Sequence, residues 1–258
     1  MIVIIPARYA SVRLPGKLLL KVNGKPLILH TLEQAKKAAS VSRLIVATDD
    51  SRIFDVVAAS GNTAVMTSPD HASGSDRIAE VAEGLPVGSI VVNVQGDEPL
   101  ISPETIEAAV EALLGDPSAE VSTTCEAIIN IADVFSPNVV KVIAGRNGNA
   151  LSFSRSPIPF LRDAANKAGG LEFAIKDAPE LLANFKKHTG LYVYRREFLL
   201  EYAKMAPTPL EQCEMLEQLR ILENGRKIKV VEVTQTSIGV DTAGDLEHVR
   251  QILGKVDA

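Results

Sequence analysis

The sequence predicts an α/β fold in which a mostly parallel sheet carries helices on both faces. Short apolar runs at residues 2–5, 44–47 and 90–94 have the pattern of strands that are buried on both sides. Segments with helical periodicity separate these runs, and such alternation indicates βαβ units. The composition agrees, because 46% hydrophobic and 23% charged residues in a 258-residue chain are typical of a globular protein.

The first half of the chain alternates regularly between strands and helices. Asp50 or Ser51 can cap the second helix, Gly84 ends the third, and Ser102 can cap the fourth with Pro103 at its first position. Right-handed crossovers would place these helices on both faces of the sheet, which is a Rossmann-like arrangement. The helices are expected at residues 26–39, 51–60, 75–83 and 103–114, and a short additional strand at 64–66.

The second half is less regular. Residues 145–148 predict a hairpin turn, and residues 162–187, which are polar and contain two adjacent glycines, predict a flexible excursion from the core. No repeat or linker divides the chain, so we expect a single domain over residues 1–258. The remaining strands are expected at 139–143, 150–153, 191–194 and 228–233, and the remaining helices at 212–222 and 243–253.

Charge and cysteine content exclude several classes of protein. Lys+Arg 27 against Asp+Glu 32 gives a net charge of −5, which argues against a general nucleic-acid binder. Cys125 and Cys213 form no CxxC pair, so neither a disulfide framework nor a cysteine zinc site is expected, and a reducing compartment fits. No apolar run approaches the roughly 18 residues of a membrane span, and no signal peptide is recognised. The sequence therefore predicts a cytoplasmic protein that binds neither membrane nor nucleic acid.

The loop after the first strand carries the cations Arg8, Arg13 and Lys17. Parallel sheets bind ligands beyond the carboxyl ends of their strands, and backbone amides with cationic side chains can hold a polyphosphate there. The alternative is a solvated surface loop with incidental ion pairs. The absence of GxxxxGK[ST] and GxGxxG counts against a Walker-type NTPase and a dinucleotide dehydrogenase.

Two acidic segments are candidates for a metal site. Asp97 and Glu98 follow the strongest predicted strand, where a carboxylate could share Mg²⁺ with a polyphosphate, and Gly96 would allow close approach of the backbone. Alternatively, these carboxylates only cap the turn before Ser102. Asp241 lies just before a helix, so it could be an N-cap or converge with Asp97 on a metal. Spacing alone leaves both alternatives open.

The four histidines do not form a recognisable catalytic motif. His30 and His248 lie in predicted helices, His71 lies in a loop that leads into a helix, and His188 opens the strand that carries Tyr192. An isolated histidine more often packs or caps than catalyses. The absence of HExxH and GxSxG excludes the corresponding metalloproteases and serine hydrolases.

Segments throughout the chain match one enzyme family in order. They are IPARYASVRLPGK at 5–17, NGKPLI at 23–28, VATDD at 46–50, HASGSDR at 71–77, VNVQGDEPLI at 92–101, NVVKVI at 138–143, FSRSPIP at 153–159, HTGLYVYRREFL at 188–199, PLEQCEMLEQLRILENG at 209–225 and GVDTAGDLE at 239–247. In this combination the sequence resembles the 3-deoxy-manno-octulosonate (Kdo) cytidylyltransferases, which have the nucleotide-diphospho-sugar transferase type of Rossmann-like sheet.

The resemblance implies an activity and an assembly. CMP would pass from CTP to the anomeric 2-hydroxyl of Kdo, giving CMP-Kdo and pyrophosphate for lipopolysaccharide biosynthesis, with Mg²⁺ as the cofactor. The family likeness also implies a homodimer, with residues 150–205 as a lid and dimerisation elaboration. Positioning and charge neutralisation would carry the reaction without a covalent enzyme intermediate.

The resemblance also assigns roles to individual residues. The implied catalytic residues are Lys17, Asp97 and Asp241, of which the two aspartates would hold the metal. The implied CTP-binding residues are Ala7, Arg8, Arg13, Lys17, Ser73, Gly74 and Arg77. The implied sugar-binding residues are Gln95, Arg155, His188, Tyr192, Glu217 and Gln218.

Two alternatives to this function remain open from the sequence. A cytidylyltransferase for another ulosonic acid, such as 8-amino-Kdo or sialic acid, would use the same chemistry. A non-catalytic nucleotide-binding module could share the fold, since fold alone does not establish activity. The presence of Asp97 and Asp241 together with the cationic loop disfavours this second alternative.

Overall fold

The computed structural model of the protein describes residues 1–11, 14–235 and 238–256. The strands of these residues are β1 (Ile2–Ala7), β2 (Lys21–Val22), β3 (Lys25–Pro26), β4 (Arg43–Thr48), β5 (Thr63–Met66), β6 (Ile90–Asn93), β7 (Val121–Ala127), β8 (Lys141–Ala144), β9 (Ala150–Ser154), β10 (Lys186–Arg195) and β11 (Ile228–Glu232). Their helices are α1 (Leu27–Lys36), α2 (Ser51–Ala59), α3 (Gly74–Glu83), α4 (Pro103–Leu114), α5 (Ile131–Phe135), α6 (Arg162–Ala168), α7 (Leu171–Asp177), α8 (Arg196–Tyr202), α9 (Pro209–Glu214), α10 (Gln218–Glu223) and α11 (Ala243–Val256), with 3₁₀ turns at Lys17–Leu19 and Pro179–Asn184.

The backbone contacts divide the chain into two compact units. The first unit consists of Met1–Glu111, Leu191–Lys204 and Gln235–Ala258. The second consists of Ala112–Gly190 and Met205–Thr234. Strand β10 contributes residues to both units. The expectation of a single domain stays a prediction.

The sheet of the first unit confirms the predicted fold class. Its strands lie in the order β5-β4-β1-β6, followed by the second half of β10. The pairs β5–β4, β4–β1 and β1–β6 are parallel, and only β10 pairs with β6 in the antiparallel direction. Residues 2–5 of β1 are almost entirely inaccessible to solvent, which explains the unbroken apolar run that predicted this strand.

The parallel directions of β1, β4 and β6 bring the loops after these strands to one edge of the sheet. Gly96, in the loop after β6, fits this edge closely: an added Cβ would lie 3.1 Å from Ile28 Cδ1 and 3.3 Å from the Pro6 carbonyl oxygen. The Thr31 hydroxyl donates to the Gly96 carbonyl at 2.9 Å. Gly96 thus packs closely against its protein neighbours, and the close approach of its backbone to a ligand stays a prediction.

The predicted caps of two helices are also confirmed. The Asp50 carboxylate accepts from the Arg52 amide at 3.0 Å at the start of α2. At the start of α4, the Ser102 hydroxyl accepts from the amides of Glu104 and Thr105 at 3.1 and 3.3 Å. Each cap satisfies backbone donors that have no partner inside the helix.

The second unit contains a strand that the sequence pattern does not reveal. Strand β7 is parallel to β11, with Val121 opposite Ile228. Its centre is Ser122, Thr123 and Thr124, all fully buried, so a core strand carries polar side chains where an apolar run is expected. The predicted hairpin between β8 and β9 is present, and the Gly145 amide donates to the Asn149 carbonyl at 2.8 Å.

The prediction that residues 162–187 form a flexible excursion is wrong. This segment contains α6, α7 and a 3₁₀ turn, and it packs around its own core. Gly169, with φ of 77°, ends α6 in the left-handed conformation, which explains the glycine pair as a helix stop. The buried core of this segment and its neighbours consists of Ile128, Val134, Ala165, Leu171, Ile175 and Phe185.

The prediction of one helix over residues 212–222 is also wrong. Helix α9 ends at Glu214, and Met215 adopts the left-handed conformation with φ of 52°. The Leu216 amide donates to the Glu211 carbonyl at 3.1 Å, and this hydrogen bond caps the C-terminus of α9 before α10 begins. Continuous helical periodicity in the sequence does not reveal a break made by one backbone dihedral angle.

No helix in the described part of the chain combines the length and the apolar character that crossing a bilayer requires.

Candidate active site

Lys17 connects the two acidic segments of the first unit. It follows Gly16, whose φ of 66° turns the chain at the end of the cationic loop and starts the 3₁₀ turn. The Lys17 ammonium contacts the Asp97 carboxylate and donates to Asp241 Oδ1 at 2.8 Å. Only 13% of the Lys17 side chain is exposed to solvent, so the two carboxylates replace most of the water around the ammonium. The convergence of Lys17, Asp97 and Asp241 matches the implied catalytic set.

The charges of this cluster determine its protonation. Burial alone would lower the pKa of Lys17, but the charges and hydrogen bonds of Asp97 and Asp241 outweigh burial and raise that pKa above its usual value. Lys17 is therefore a cation at neutral pH. One ammonium between two carboxylates leaves a net negative charge on the cluster, which favours a further cation nearby.

Local hydrogen bonds fix both carboxylates in place. The Val240 amide donates to the Asp97 carbonyl at 2.9 Å, so the segment before Asp241 is held directly against the loop after β6. Thr242, the residue directly before α11, makes capping contacts with Asp245. The Asp245 carboxylate accepts from the Thr242 amide at 2.8 Å, and the Thr242 hydroxyl accepts from the Asp245 amide at 3.2 Å. The sequence analysis did not identify Thr242 and Asp245, which hold the backbone next to Asp241. Their three-residue spacing is the signal of a capping box and could have revealed them.

The donor set suits a hard divalent cation. Asp97 and Asp241 present carboxylate oxygens to the same point, and Mg²⁺ is commonly held by one or two carboxylates together with substrate phosphates. Among the residues that the structure describes, no group of three or more histidine, cysteine or acidic side chains could hold a metal. Water and substrate phosphate oxygens would complete the coordination of such an ion.

The predicted CTP-binding residues Ala7, Arg8, Ser73 and Gly74 lie close together. Ala7 ends β1 and is fully buried, and the Arg8 guanidinium donates to the carbonyl of His71 at 2.7 Å. Ser73 caps α3, and a Cβ on Gly74 would lie 3.4 Å from the Pro6 ring. The amino end of α3, where backbone amides favour anions, is thereby held against the end of β1. Arg13 lies outside the described residues.

Arg77 occupies a different position from the other predicted CTP-binding residues. Its side chain is fully buried and donates to Thr67 Oγ1 at 2.5 Å and to Asp49 Oδ2 at 2.6 Å. Because Asp49 follows β4 and Thr67 follows β5, Arg77 connects the carboxyl ends of two neighbouring strands. The sequence pattern did not identify Asp49 as its partner. A contact of Arg77 with the nucleotide stays a prediction.

Two predicted sugar-binding residues lie in the first unit around Asn93. Tyr192 in β10 is directly opposite Asn93 in β6. The Gln95 side-chain amide donates to Asn93 Oδ1 at 3.3 Å. The Tyr192 ring stacks on Tyr194, with the two ring centroids 5.9 Å apart. A phenol on β10 and a carboxamide just after β6 thus both lie beside Asn93.

The other predicted sugar-binding residues lie in the second unit. His188 Nε2 is 2.8 Å from the Thr123 hydroxyl, and desolvation lowers the pKa of its imidazole to about 3. Glu217 immediately precedes α10, and Gln218 is buried at its start. The Arg155 guanidinium donates to the main-chain carbonyls of Pro137, Glu214 and Met215. The binding of a sugar by these residues stays a prediction.

Comparisons with known proteins show the family of the chain. A family model described as Cytidylyltransferase matches residues 2–228. The 3-deoxy-manno-octulosonate cytidylyltransferase of Pelobacter propionicus is 53% identical over 248 residues, covering 96% of this chain and 95% of the relative. The protein of the same name from Geobacter metallireducens is 52% identical, covering 98% and 97%.

Solved structures give the same result. A CMP:2-keto-3-deoxy-manno-octonic acid synthetase complexed with CTP aligns with a TM-score of 0.87 and 41% identity, covering 98% of both chains. The 4-diphosphocytidyl-2C-methyl-D-erythritol synthase of Anaerococcus prevotii aligns with a TM-score of 0.60 over 98% of both chains but is 15% identical, so it supports the fold alone.

We expect His188 to remain a neutral imidazole well below neutral pH. Because folding lowers its pKa from 6.5 to about 3, its contribution to the free energy of unfolding is complete above pH 6.5 and is lost as the pH falls toward 3. Imidazole ¹⁵N NMR shifts should show a neutral ring at pH 5. The variant His188→Gln should lose less stability than the wild type over this pH range, measured by urea unfolding. Titration of His188 with a midpoint near its ordinary value would contradict the proposed desolvation.

Proposed function

The chain belongs to the 3-deoxy-manno-octulosonate cytidylyltransferase family, and on this basis we propose that it transfers CMP from CTP to the 2-hydroxyl of Kdo with release of pyrophosphate. The observation that carries the mechanism is the contact of the Lys17 ammonium with both Asp97 and Asp241. This cluster combines a cation for phosphate oxygens with carboxylates for a hard metal ion in one place.

The triphosphate of CTP would be held by charges and backbone dipoles. Lys17 can turn its ammonium from the carboxylates to phosphate oxygens, and the adjacent amino end of α3 offers backbone amides. Arg8 is fixed beside α3 by its bond to the His71 carbonyl, so its charge is available on the same side. Holding the α-phosphate in one orientation supplies much of the rate in a transfer that needs no covalent enzyme intermediate.

The transfer is an in-line displacement at the α-phosphorus. The 2-hydroxyl oxygen of Kdo forms the new bond to phosphorus, the bond to the bridging oxygen of pyrophosphate breaks, and the hydroxyl proton is released. Mg²⁺ held by Asp97 and Asp241 would lower the pKa of that hydroxyl and neutralise charge on the phosphates. Lys17 would neutralise charge on the leaving pyrophosphate. The acidic net charge of the chain does not prevent the binding of an anionic nucleotide. Binding depends on the electrostatic potential at the site, where the cationic side chains and Mg²⁺ would supply positive charge.

The sugar contacts would depend on hydrogen bonds more than on charge. His188 is neutral at physiological pH because its pKa is about 3, so it would bind a sugar hydroxyl as a neutral donor or acceptor. Tyr192 and Gln95 add a phenol and a carboxamide. The family resemblance assigns sugar contacts also to Glu217 and Gln218, which lie at the start of α10 in the second unit.

We extend the proposal to a cytoplasmic homodimer that supplies lipopolysaccharide synthesis. Cys125 and Cys213 are both free, which suits a reducing compartment. In the described residues, eight large hydrophobic side chains of the second unit are exposed, including Phe160 at 63% and Phe173 at 58%. Aromatic side chains are enriched at the cores of protein interfaces, so this part of the chain is the candidate dimer contact. The eight are Leu114, Ile129, Phe135, Leu151, Phe160, Phe173, Leu210 and Met215.

Pyrophosphate release should require CTP, Kdo and Mg²⁺ together. A panel of sugar acids (Kdo, 8-amino-Kdo and N-acetylneuraminate), each with and without EDTA, tests this with a coupled pyrophosphate assay. We expect release with Kdo that chelation abolishes. Equal release with N-acetylneuraminate would overturn the substrate assignment, and no release with any sugar acid would favour a non-catalytic nucleotide-binding module.

Removing either carboxylate of the cluster should strongly reduce turnover. Asp97→Ala and Asp241→Ala should each lower kcat by at least about 10²-fold, comparable to losing one preorganised charge-stabilising group. Asp55→Ala serves as the matched control, since Asp55 is an exposed aspartate of α2, and it should behave as wild type. Near-normal turnover in both site variants would remove Asp97 and Asp241 from the mechanism.

Sedimentation velocity tests the proposed homodimer. The wild type should sediment as a dimer at micromolar concentration, and Phe160→Asp combined with Phe173→Asp should weaken dimerisation by at least about tenfold, because charges are then buried at the contact. Met66→Asp, at an exposed position of the first unit, is the control and should remain dimeric. A monomeric wild type would contradict the proposal.

A further inference from the structure

Glu80 reaches back from α3 to the loop that precedes this helix. Side chains of a helix lean toward its amino end, so a glutamate in the second turn of α3 can contact the residues before the helix. One carboxylate oxygen, Oε2, accepts from the Ser68 amide at 3.0 Å and also contacts His71 Nε2. The Asp70 amide donates to the Ser68 hydroxyl at 3.2 Å inside the same loop. Glu80 therefore holds both ends of the loop at residues 68–71.

The charge of Glu80 suits this role. The hydrogen bonds from the Ser68 amide and from His71 lower the pKa of the carboxyl below its usual value and outweigh the small effect of burial. Glu80 is therefore an anion at neutral pH, and an ionised acceptor makes stronger hydrogen bonds than a neutral one. A surface ion pair contributes little stability by itself, so the importance of these contacts lies in the loop that they hold.

The loop that Glu80 holds also contacts two of the predicted CTP-binding arginines. Before the loop, the Thr67 hydroxyl accepts from Arg77 Nη1 at 2.5 Å. At its end, the His71 carbonyl accepts from Arg8 Nη2 at 2.7 Å. His71 thus contacts Glu80 through its ring and Arg8 through its main chain. A guanidinium has five N–H donors, so one bond to a carbonyl is compatible with further contacts to phosphate oxygens.

The same loop leads directly into the amino end of α3. Ser73 and Asp76 form a capping box there: the Ser73 amide donates to the Asp76 carboxylate, and the Asp76 amide donates to the Ser73 hydroxyl, both at 3.0 Å. This cap fixes the start of the helix, whereas Glu80 fixes the loop against which Arg8 is held. Arg8 and the helix amides therefore keep their relative position only while residues 68–71 keep their conformation.

We propose that Glu80 is a positioning residue for CTP, which acts through the ring of His71 and the loop at residues 68–71 to keep the Arg8 guanidinium beside the amino end of α3. Glu80 acts through this loop and needs no contact with the nucleotide. The inference rests on the proposed function, because it assigns a role in binding the triphosphate of CTP. It extends that function to a glutamate that the sequence analysis did not identify.

Steady-state kinetics of Glu80→Ala test the proposal. Positioning predicts that KM for CTP rises by at least about fivefold while KM for Kdo stays within about twofold, because only the nucleotide side is released. Glu80→Gln, which keeps the side-chain length and an acceptor oxygen, should recover most of the loss. Glu83→Ala, at an exposed glutamate of the same helix, is the matched control and should leave both KM values unchanged. An unchanged KM for CTP in Glu80→Ala, or an equal rise in both KM values, would overturn the proposal.

A double-mutant cycle tests whether Glu80 acts through Arg8. Arg8→Ala should itself raise KM for CTP, and adding Glu80→Ala should raise it by less than about twofold further, since the side chain that Glu80 positions is already absent. His71→Ala, which removes the ring but keeps the main-chain carbonyl, should behave like Glu80→Ala and should not add to it. If the effects of Arg8→Ala and Glu80→Ala multiply, the two residues act independently and the proposal is overturned.

NMR relaxation separates this proposal from the proposed function. In the absence of substrates, the amide ¹⁵N order parameters of residues 70–72 should be about 0.85 in the wild type and below about 0.6 in Glu80→Ala, since the loop is released. Equal order parameters in the two proteins would overturn the positioning role even if the kinetics changed. A wild type that makes no CMP-Kdo would instead refute the proposed function, whereas the order parameters would still test whether Glu80 holds the loop.

Discussion

The contact of one ammonium with two carboxylates is the interaction on which the first unit's site depends. Asp97 and Asp241 come from distant parts of the sequence, and two like charges in a partly buried place repel unless a cation lies between them. Lys17 provides that cation, and the parallel strands bring its loop to the same edge of the sheet as Asp97. In the proposed function, the Lys17 ammonium would exchange these carboxylates for phosphate oxygens, and the carboxylates would then hold Mg²⁺.

The sequence predicted the fold best where local chemistry and tertiary environment agree. The buried strands β1, β4 and β6 have apolar runs, and the caps at Asp50 and Ser102 have the expected side chains. Strand β7 was missed because its buried centre is serine and threonine. Its threonine hydroxyls have hydrogen-bond partners inside the protein: Thr123 pairs with His188 Nε2, and Thr124 pairs with the Thr189 hydroxyl. The break at Met215 depends on distant partners, which no local pattern contains.

For the candidate site, the residue types and their positions in loops identified the cationic and acidic side chains. They did not reveal which cation contacts which carboxylate. The sequence spacing left open whether Asp241 caps the helix that follows it. In the structure, Thr242 and Asp245 make the capping contacts at the start of α11. Family resemblance gave residue roles that geometry then distinguishes: Lys17 lies against both aspartates, whereas Arg77 and Arg155 bond mainly within the protein. The residue type alone cannot distinguish these cases, because the same cationic side chain can bind a ligand or an acceptor inside the protein.

Gly96 restricts how this protein can vary over evolutionary time. The space for a methyl group at position 96 is already filled by Ile28 and by the Pro6 carbonyl, and the second of these is backbone, which no substitution removes. A side chain at position 96 therefore requires Ile28 and the first loop to move by a few tenths of an ångström, and a smaller side chain at position 28 would make that movement easier. Sequence drift around the acidic loop should accordingly be coupled to drift in α1, a helix that holds none of the charged groups of the site.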